Sequence, residues 1–113
     1  MKIDIPEISR PLNEANIDLI LQNIKEYISG KAVKVFIFGS VARKRFFPDS
    51  DIDILIVKET SEKFIRRAFE FESLFDFYPR LDILVYTPAE FEIQIKKNTV
   101  FWAEFRRDSF QLI

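Results

Sequence analysis

Apolar residues near the start of the chain fall into a helical rhythm: Ile17, Ile20, Leu21, Ile24 and Ile28 recur every three or four positions, which puts them on one face of an α-helix. Asn13 is placed to cap that helix and Gly30 to end it. The rhythm then changes. Residues 32–38, AVKVFIF, are β-branched and aromatic with little alternation, the pattern of a strand covered on both faces. Gly39-Ser40 closes this strand, VARKRF is expected to form a short helix before Pro48, and residues 51–57, DIDILIV, read as a second buried strand. Thr60 or Ser61 offers a cap for a second long helix that carries Phe64, Ala68, Phe71 and Phe75 on one face and stops before Pro79. A third strand, LDILVY, spans residues 81–86. Thr87, Pro88 and Glu90 then supply the cap, first-position proline and third-position carboxylate of a C-terminal helical region. The closing SFQLI is long enough for another short strand, and the segment ahead of Asn13 has room for a short edge strand. Helices and strands alternate, so the expected class is α/β, with helices packed on a small mixed β-sheet. At 113 residues the expectation is a single domain over 1–113.

Composition narrows the chemistry. Hydrophobic residues make up 48% and charged residues 31%, an ordinary globular balance with no sign of a disordered chain. The net charge of -1 gives no bulk attraction for nucleic acid, which is not expected as a partner. Cysteine and histidine are absent. Thiol nucleophiles, disulfides, imidazole bases and zinc ribbons are thereby excluded, and a divalent metal would take oxygen ligands, as magnesium or manganese does. The N-terminus carries charges and prolines where a signal peptide would be apolar, and no apolar run approaches the roughly 20 residues of a membrane span. A cytoplasmic location is the default expectation, with no membrane partner.

Two acidic residues stand at the head of the second buried strand. Residues two apart on a strand share a face, so Asp51 and Asp53 project together, roughly 6–7 Å apart along the chain. Unpaired, such neighbours repel and one is driven toward protonation; a bound cation reverses that cost. Gly39-Ser40 lies where a strand becomes a helix. Glycine lets the backbone approach a ligand, Ser40 adds a hydroxyl, and Arg43 sits one turn along the same helix. Ser50 is placed to shape the turn that presents Asp51. A third carboxylate would complete a metal centre able to activate an attacking hydroxyl. Asp82 has the same relation to the third strand as Asp53 has to the second, so pairing those strands brings the three acids together. The combination describes nucleotidyl transfer: two metal ions, a triphosphate clamp, and in-line attack on the α-phosphate.

Each feature also has a plainer reading. Most Gly-Ser pairs are only turns, DSDID can be a solvated turn or a calcium loop, and Asp82 can form a surface ion pair with Arg80. Lys44 and Arg45 are read as solvated charges beside the phosphate-binding Arg43. The aromatic set Phe91, Ile95, Phe101, Trp102 and Phe105 most simply covers one side of the sheet, leaving part of it, with Phe46 and Phe47, to face a partner or a second copy.

The stretch GSVARKRFFPDSDIDIL, residues 39–55, resembles the Gly-Ser-x-Ala-Arg, six residues, Ser-Asp-x-Asp signature of the minimal nucleotidyltransferases, within the DNA polymerase beta superfamily. The resemblance extends to a helix ahead of the motif strand, the later LDILVY strand and a C-terminal helix. It implies the polymerase beta-like palm fold, with Asp51, Asp53 and Asp82 holding two magnesium ions and Gly39 and Ser40 binding the triphosphate of ATP. One departure stands out: many members have glycine directly after the Ala-Arg pair, where this chain has Lys44. Small stand-alone members commonly serve as antitoxins beside a helical toxin of the HEPN class, which implies transfer of AMP to a tyrosine hydroxyl of such a partner. Two rivals to this reading are a nucleotide-binding module that neutralises its partner by occlusion and a transferase acting on a small-molecule hydroxyl.

Overall fold

The computed structural model describes residues 11–113. Its elements are α1 (Ile17–Ile28), β1 (Lys34–Phe38), α2 (Gly39–Ala42), β2 (Ile52–Val57), α3 (Phe64–Arg67), a 3-10 segment (Ala68–Asp76), β3 (Leu81–Tyr86), α4 (Pro88–Gln94), α5 (Val100–Asp108) and β4 (Phe110–Gln111). The four strands form one sheet in the order β3-β2-β1-β4. β2 and β3 run parallel, and the β1 pairings to β2 and β4 are antiparallel. The sheet is therefore mixed, as the alternation of elements predicts. No helix among the described residues is long and apolar enough to cross a membrane.

Strand periodicity divides the core in two. Val35, Ile37, Ile52, Ile54 and Ile56 pack with Ile20, Ile24 and Ile28 of α1 and with Phe71 and Leu74. Their neighbours in sequence, Phe38, Leu55 and Val57, turn to the opposite face, where Trp102 and Phe105 of α5 cover them. A strand buried on both sides cannot alternate apolar and polar residues, which is why residues 32–38 and 51–57 read as near-continuous apolar runs. Asp53 belongs to the α5 face by the same period of two. So does Asp82, its partner in register on β3.

The C-terminal aromatics behave as cover: Trp102 and Phe105 are buried, Phe91 and Ile95 partly so, while Phe101 keeps 38% of its surface. Phe46 packs on the α1 side, and Phe47 is 73% exposed.

Two expectations need correction, and one lies outside the described residues. Asn13 does not cap α1 itself. Its Oδ1 accepts the Ala15 and Asn16 amides at 2.8 and 2.9 Å, closing a lead-in turn, and the helix starts at Ile17. The second long helix is instead the four-residue α3 followed by a nine-residue 3-10 segment, which is itself kinked at Phe71. Thr60 accepts the Glu62 amide in a local turn, and Lys63 precedes the helix. Burial here repeats every three residues, at Phe71 and Leu74 with Phe77 packed alongside, while Phe64 and Phe75 remain 47% and 41% exposed. Side chains three apart align in a 3-10 helix, so Phe64 and Phe75 do not share the buried face. The edge strand expected near the N-terminus falls on residues outside those described.

The start of α4 follows its sequence signature. The Thr87 hydroxyl accepts the Glu90 amide at 3.2 Å, and the Glu90 carboxylate accepts the Thr87 amide at 2.8 Å. Arg67, with its side chain only 9% exposed, grips the same carboxylate at 2.6 and 3.2 Å. The Arg67 bond and the Thr87 amide hold the Glu90 carboxyl down to about 2. This ties the crossover between β2 and β3 to the helix that follows β3.

Lys44, in the position where glycine is common, takes φ 58. A side chain in the left-handed region costs on the order of 1 kcal/mol. Lys44→Gly is therefore expected to raise stability by about 0.5–1 kcal/mol, read as a later urea midpoint at unchanged slope. An earlier midpoint would contradict the strain.

Candidate active site

The site grows out of two strand pairings. Phe38, the last residue of β1, pairs with Asp53, and Asp53 in turn pairs with Asp82 across the parallel β2/β3 ladder. Asp51 immediately precedes β2, two residues from Asp53 and thus on the same face. Asp51 and Asp82 are exposed and Asp53 is half-buried between them. Three carboxylates from separate segments consequently lie on the α5 face of the sheet.

The loop before Asp51 is fixed by its own residues. Ser50 accepts the Phe47 amide on its hydroxyl at 2.7 Å, and its own amide donates to the Phe47 carbonyl at 3.0 Å. The buried Tyr78 donates its hydroxyl to the Ser50 carbonyl at 2.7 Å, pinning the loop to the end of the 3-10 segment. Arg80 donates to the Asp49 carbonyl at 2.9 Å. Among the described residues it makes no ion pair with Asp82, so the plainer reading of Asp82 as half of a surface pair does not hold.

Gly39 makes the turn from β1 into α2 with φ 73, and the Asp53 carboxylate lies against it. A Cβ added to Gly39 would overlap Asp53 Oδ2 and sit 3.0 Å from its Cγ. Only glycine lets this turn and this carboxylate share the space. Arg43 closes α2, its amide donating to the Gly39 carbonyl at 3.1 Å, and the Ser40 carbonyl accepts the Arg45 amide at 3.0 Å.

Burial, with Asp82 and Asp51 adding their negative charge, pushes the Asp53 carboxyl up to about 6, and the Arg43 guanidinium offsets part of the rise. The four groups therefore act within one electrostatic neighbourhood. Among the described residues no three acidic side chains converge tightly enough, as they stand, to enclose a metal ion. The donor set nevertheless fits a hard divalent cation: carboxylate oxygens alone, aligned on one sheet face, with a mutual repulsion that a cation would cancel.

A cleft of about 220 Å³ opens on this centre, lined by Phe38, Gly39, Arg43, Asp53, Phe101, Glu104 and Phe105. Gly39, Arg43 and Asp53 were candidates from sequence; Asp51, Asp82 and Ser40 stand beside the cleft rather than in its wall. The sequence does not single out Glu104, and it offers Phe101 as sheet cover or partner surface rather than as part of a cleft. Both belong to α5, one turn apart, and no spacing pattern in the sequence reveals that the helix docks beside Gly39. A larger hollow of about 360 Å³ lies at the far end of β2, by Lys58 and Val85. Two of its cations are already matched, Lys58 by Glu70 and Arg67 by Glu90, and none of the candidate acids or the Gly39 turn lines it, so the smaller cleft is the better candidate.

Comparison with known proteins agrees with this geometry. The family model of a nucleotidyltransferase domain matches residues 17–106. Among solved structures, the chain is similar to a protein from Sulfolobus solfataricus provisionally described as a nucleotidyltransferase, with 21% identity, a TM-score of 0.57, and coverage of 88% of this chain and 87% of that one. It is also similar to a toxin-antitoxin structure with AMP-PNP, at 23% identity and a TM-score of 0.49, over 90% of this chain and 73% of that one. No curated protein matches.

Proposed function

Because the chain belongs to the nucleotidyltransferase domain family, we propose that it transfers AMP from ATP to a hydroxyl group with the help of divalent magnesium, and that the acceptor is a tyrosine of a HEPN-type toxin to which this protein is the antitoxin. The observation that carries the reading is the register of Asp53 against Asp82 on one sheet face, with Asp51 two residues away and the Gly39 turn alongside. Asp51, Asp53 and Asp82 would hold the metal, which when bound supplies positive charge to the phosphates and acidity to the acceptor hydroxyl.

The chain's own groups divide the remaining work. Gly39 and Ser40 leave the backbone of the turn open to the triphosphate, and Arg43 meets it with a permanently charged planar group. Asp82, exposed at the start of β3, is placed to take the proton of the attacking hydroxyl. The new bond joins that oxygen to the α-phosphorus, the bond from the α-phosphorus to its bridging oxygen breaks, and pyrophosphate leaves. The exposed pair Asp51 and Asp82 suits a macromolecular acceptor that brings its own hydroxyl, and the resemblance of residues 39–55 to the antitoxin-type minimal nucleotidyltransferases supplies the class of partner.

The test is to incubate protein, a HEPN-type toxin and magnesium with ATP labelled on the α- or the γ-phosphate. The α-label is expected on the toxin, together with a mass gain of one AMP, and the γ-label in pyrophosphate. Neutralisation with no label on the toxin would favour occlusion by binding, and label on a small molecule alone would move the acceptor.

A further inference from the structure

The exposed side of α5 carries Phe101 and Glu104 into the same cleft as Gly39, Arg43 and Asp53. Nothing in the transfer chemistry requires either of them. At about 220 Å³ the cleft is smaller than the roughly 300–1,000 Å³ that encloses a drug-sized ligand. It can therefore hold only part of a nucleotide, and the order of groups along α5 suggests which part. The helix packs against α2, and at its C-terminal end Asp108 feels the charges of Arg43 and Arg45, which places that end by the phosphate-binding Arg43. Glu104 comes one turn earlier, about 6 Å along the axis, and Phe101 about 4.5 Å earlier still.

Glu104 stands on α5, apart from the three acids aligned on the sheet that would share a cation with the phosphates; with no cation between them it would repel a triphosphate, and its oxygens suit the hydrogen-bond donors of the nucleoside instead. Phe101 is held by three aromatic neighbours: Trp102 at 4.8 Å and Phe38 at 5.5 Å, both edge-on, and Phe105 stacked at 6.4 Å. The ring nevertheless keeps 38% of its surface open. A fixed ring with a free surface at a cleft is a stacking platform for a base, at little ordering cost.

We propose that α5 forms the nucleoside end of the site: Glu104 accepts hydrogen bonds from the ribose hydroxyls, and Phe101 stacks on the base, with the triphosphate running back toward Arg43. The assignment rests on the nucleotidyltransferase reading above and adds to it the two residues that distinguish a ribonucleoside triphosphate from a bare polyphosphate.

Calorimetric binding in magnesium, without any acceptor, separates this inference from the transfer reaction. The probes are ATP, 2′,3′-dideoxy-ATP and inorganic tripolyphosphate. Wild type is expected to bind ATP about tenfold more tightly than the dideoxy compound and more tightly again than tripolyphosphate. Glu104→Ala should erase the difference between ATP and dideoxy-ATP and leave tripolyphosphate unchanged. Phe101→Ala should weaken both nucleotides about tenfold without affecting tripolyphosphate, and Phe101→Tyr should restore them, which separates stacking from lost packing. Unaltered ATP preference in Glu104→Ala together with unaltered affinity in Phe101→Ala would overturn the subsite while leaving the transferase reading intact. Failure of wild type to bind any of the three probes would overturn both.

Discussion

Asp53→Asn is expected to lower nucleotidyl transfer by roughly a thousandfold or more and, in the metal-free protein at pH 7, to raise stability. The two effects have one origin. Asp53 stands half-buried between two other carboxylates, and its folded pKa of about 6 lies above the 3.8 of an ordinary aspartate. Between those values the native state holds the proton that the unfolded state has lost, so stability is greatest below about pH 4 and declines as pH rises through 6. At pH 7 the native protein carries a charge that it holds at a cost. The neutral asparagine removes that cost, a gain of about 1–2 kcal/mol once solvent screening of a half-exposed group is discounted. Activity moves the other way. If Asp53 holds the metal as proposed, loss of its ligating oxygen removes several kcal/mol of charge stabilisation, each 1.36 kcal/mol being tenfold in rate. Unfolding curves at pH 4.5 and 7, with and without magnesium, provide the check: the variant should lead at pH 7 without metal, lose that lead at pH 4.5, and gain nothing from magnesium. A variant less stable than wild type at pH 7 would show that the carboxylate is structurally satisfied rather than held at a cost.

Gly39→Ala should be nearly as damaging to activity, through geometry alone. The left-handed turn at φ 73 costs an alanine on the order of 1–2 kcal/mol, and its methyl would occupy the space of Asp53 Oδ2. Something must shift, and the movable partner is the carboxylate. A displacement of about 1 Å in a reacting constellation costs on the order of a hundredfold in rate. Gly30→Ala is the control. Gly30 has φ 82, yet a Cβ there meets nothing within 4 Å, so it should share the backbone penalty of about 1–2 kcal/mol and keep full activity. Equal losses of activity in the two variants would mean that strain, not the Asp53 contact, is what matters at Gly39.

The parts of this molecule that could be read from its sequence are those set by local rules. α1 follows from its apolar period and the capping box from Thr87 and Glu90. The three acids could be aligned because Asp53 and Asp82 each stand second in a six-residue strand, at matching offsets. Where packing chose between near-equivalent local patterns, the sequence was ambiguous. The run from Phe64 to Phe77 holds apolar residues at both three- and four-residue spacings, and packing into the core shared by the sheet and α1 selected the three-residue set centred on Phe71 and Leu74. The contribution of α5 to the cleft was invisible for a different reason. Phe101 and Glu104 reach the site only because Trp102 and Phe105 anchor the helix across Phe38 and Leu55, a tertiary fact with no signature in helix periodicity.

Manganese titration by calorimetry, at pH 6 in two buffers of different ionisation heat, tests most directly whether the three carboxylates form one metal-holding centre. Wild type should bind the ion and release about half a proton as Asp53 gives up its own near its midpoint, and Asp53→Asn and Asp82→Asn should each weaken binding at least tenfold. Equal affinity in all three proteins, with no proton released, would contradict the account.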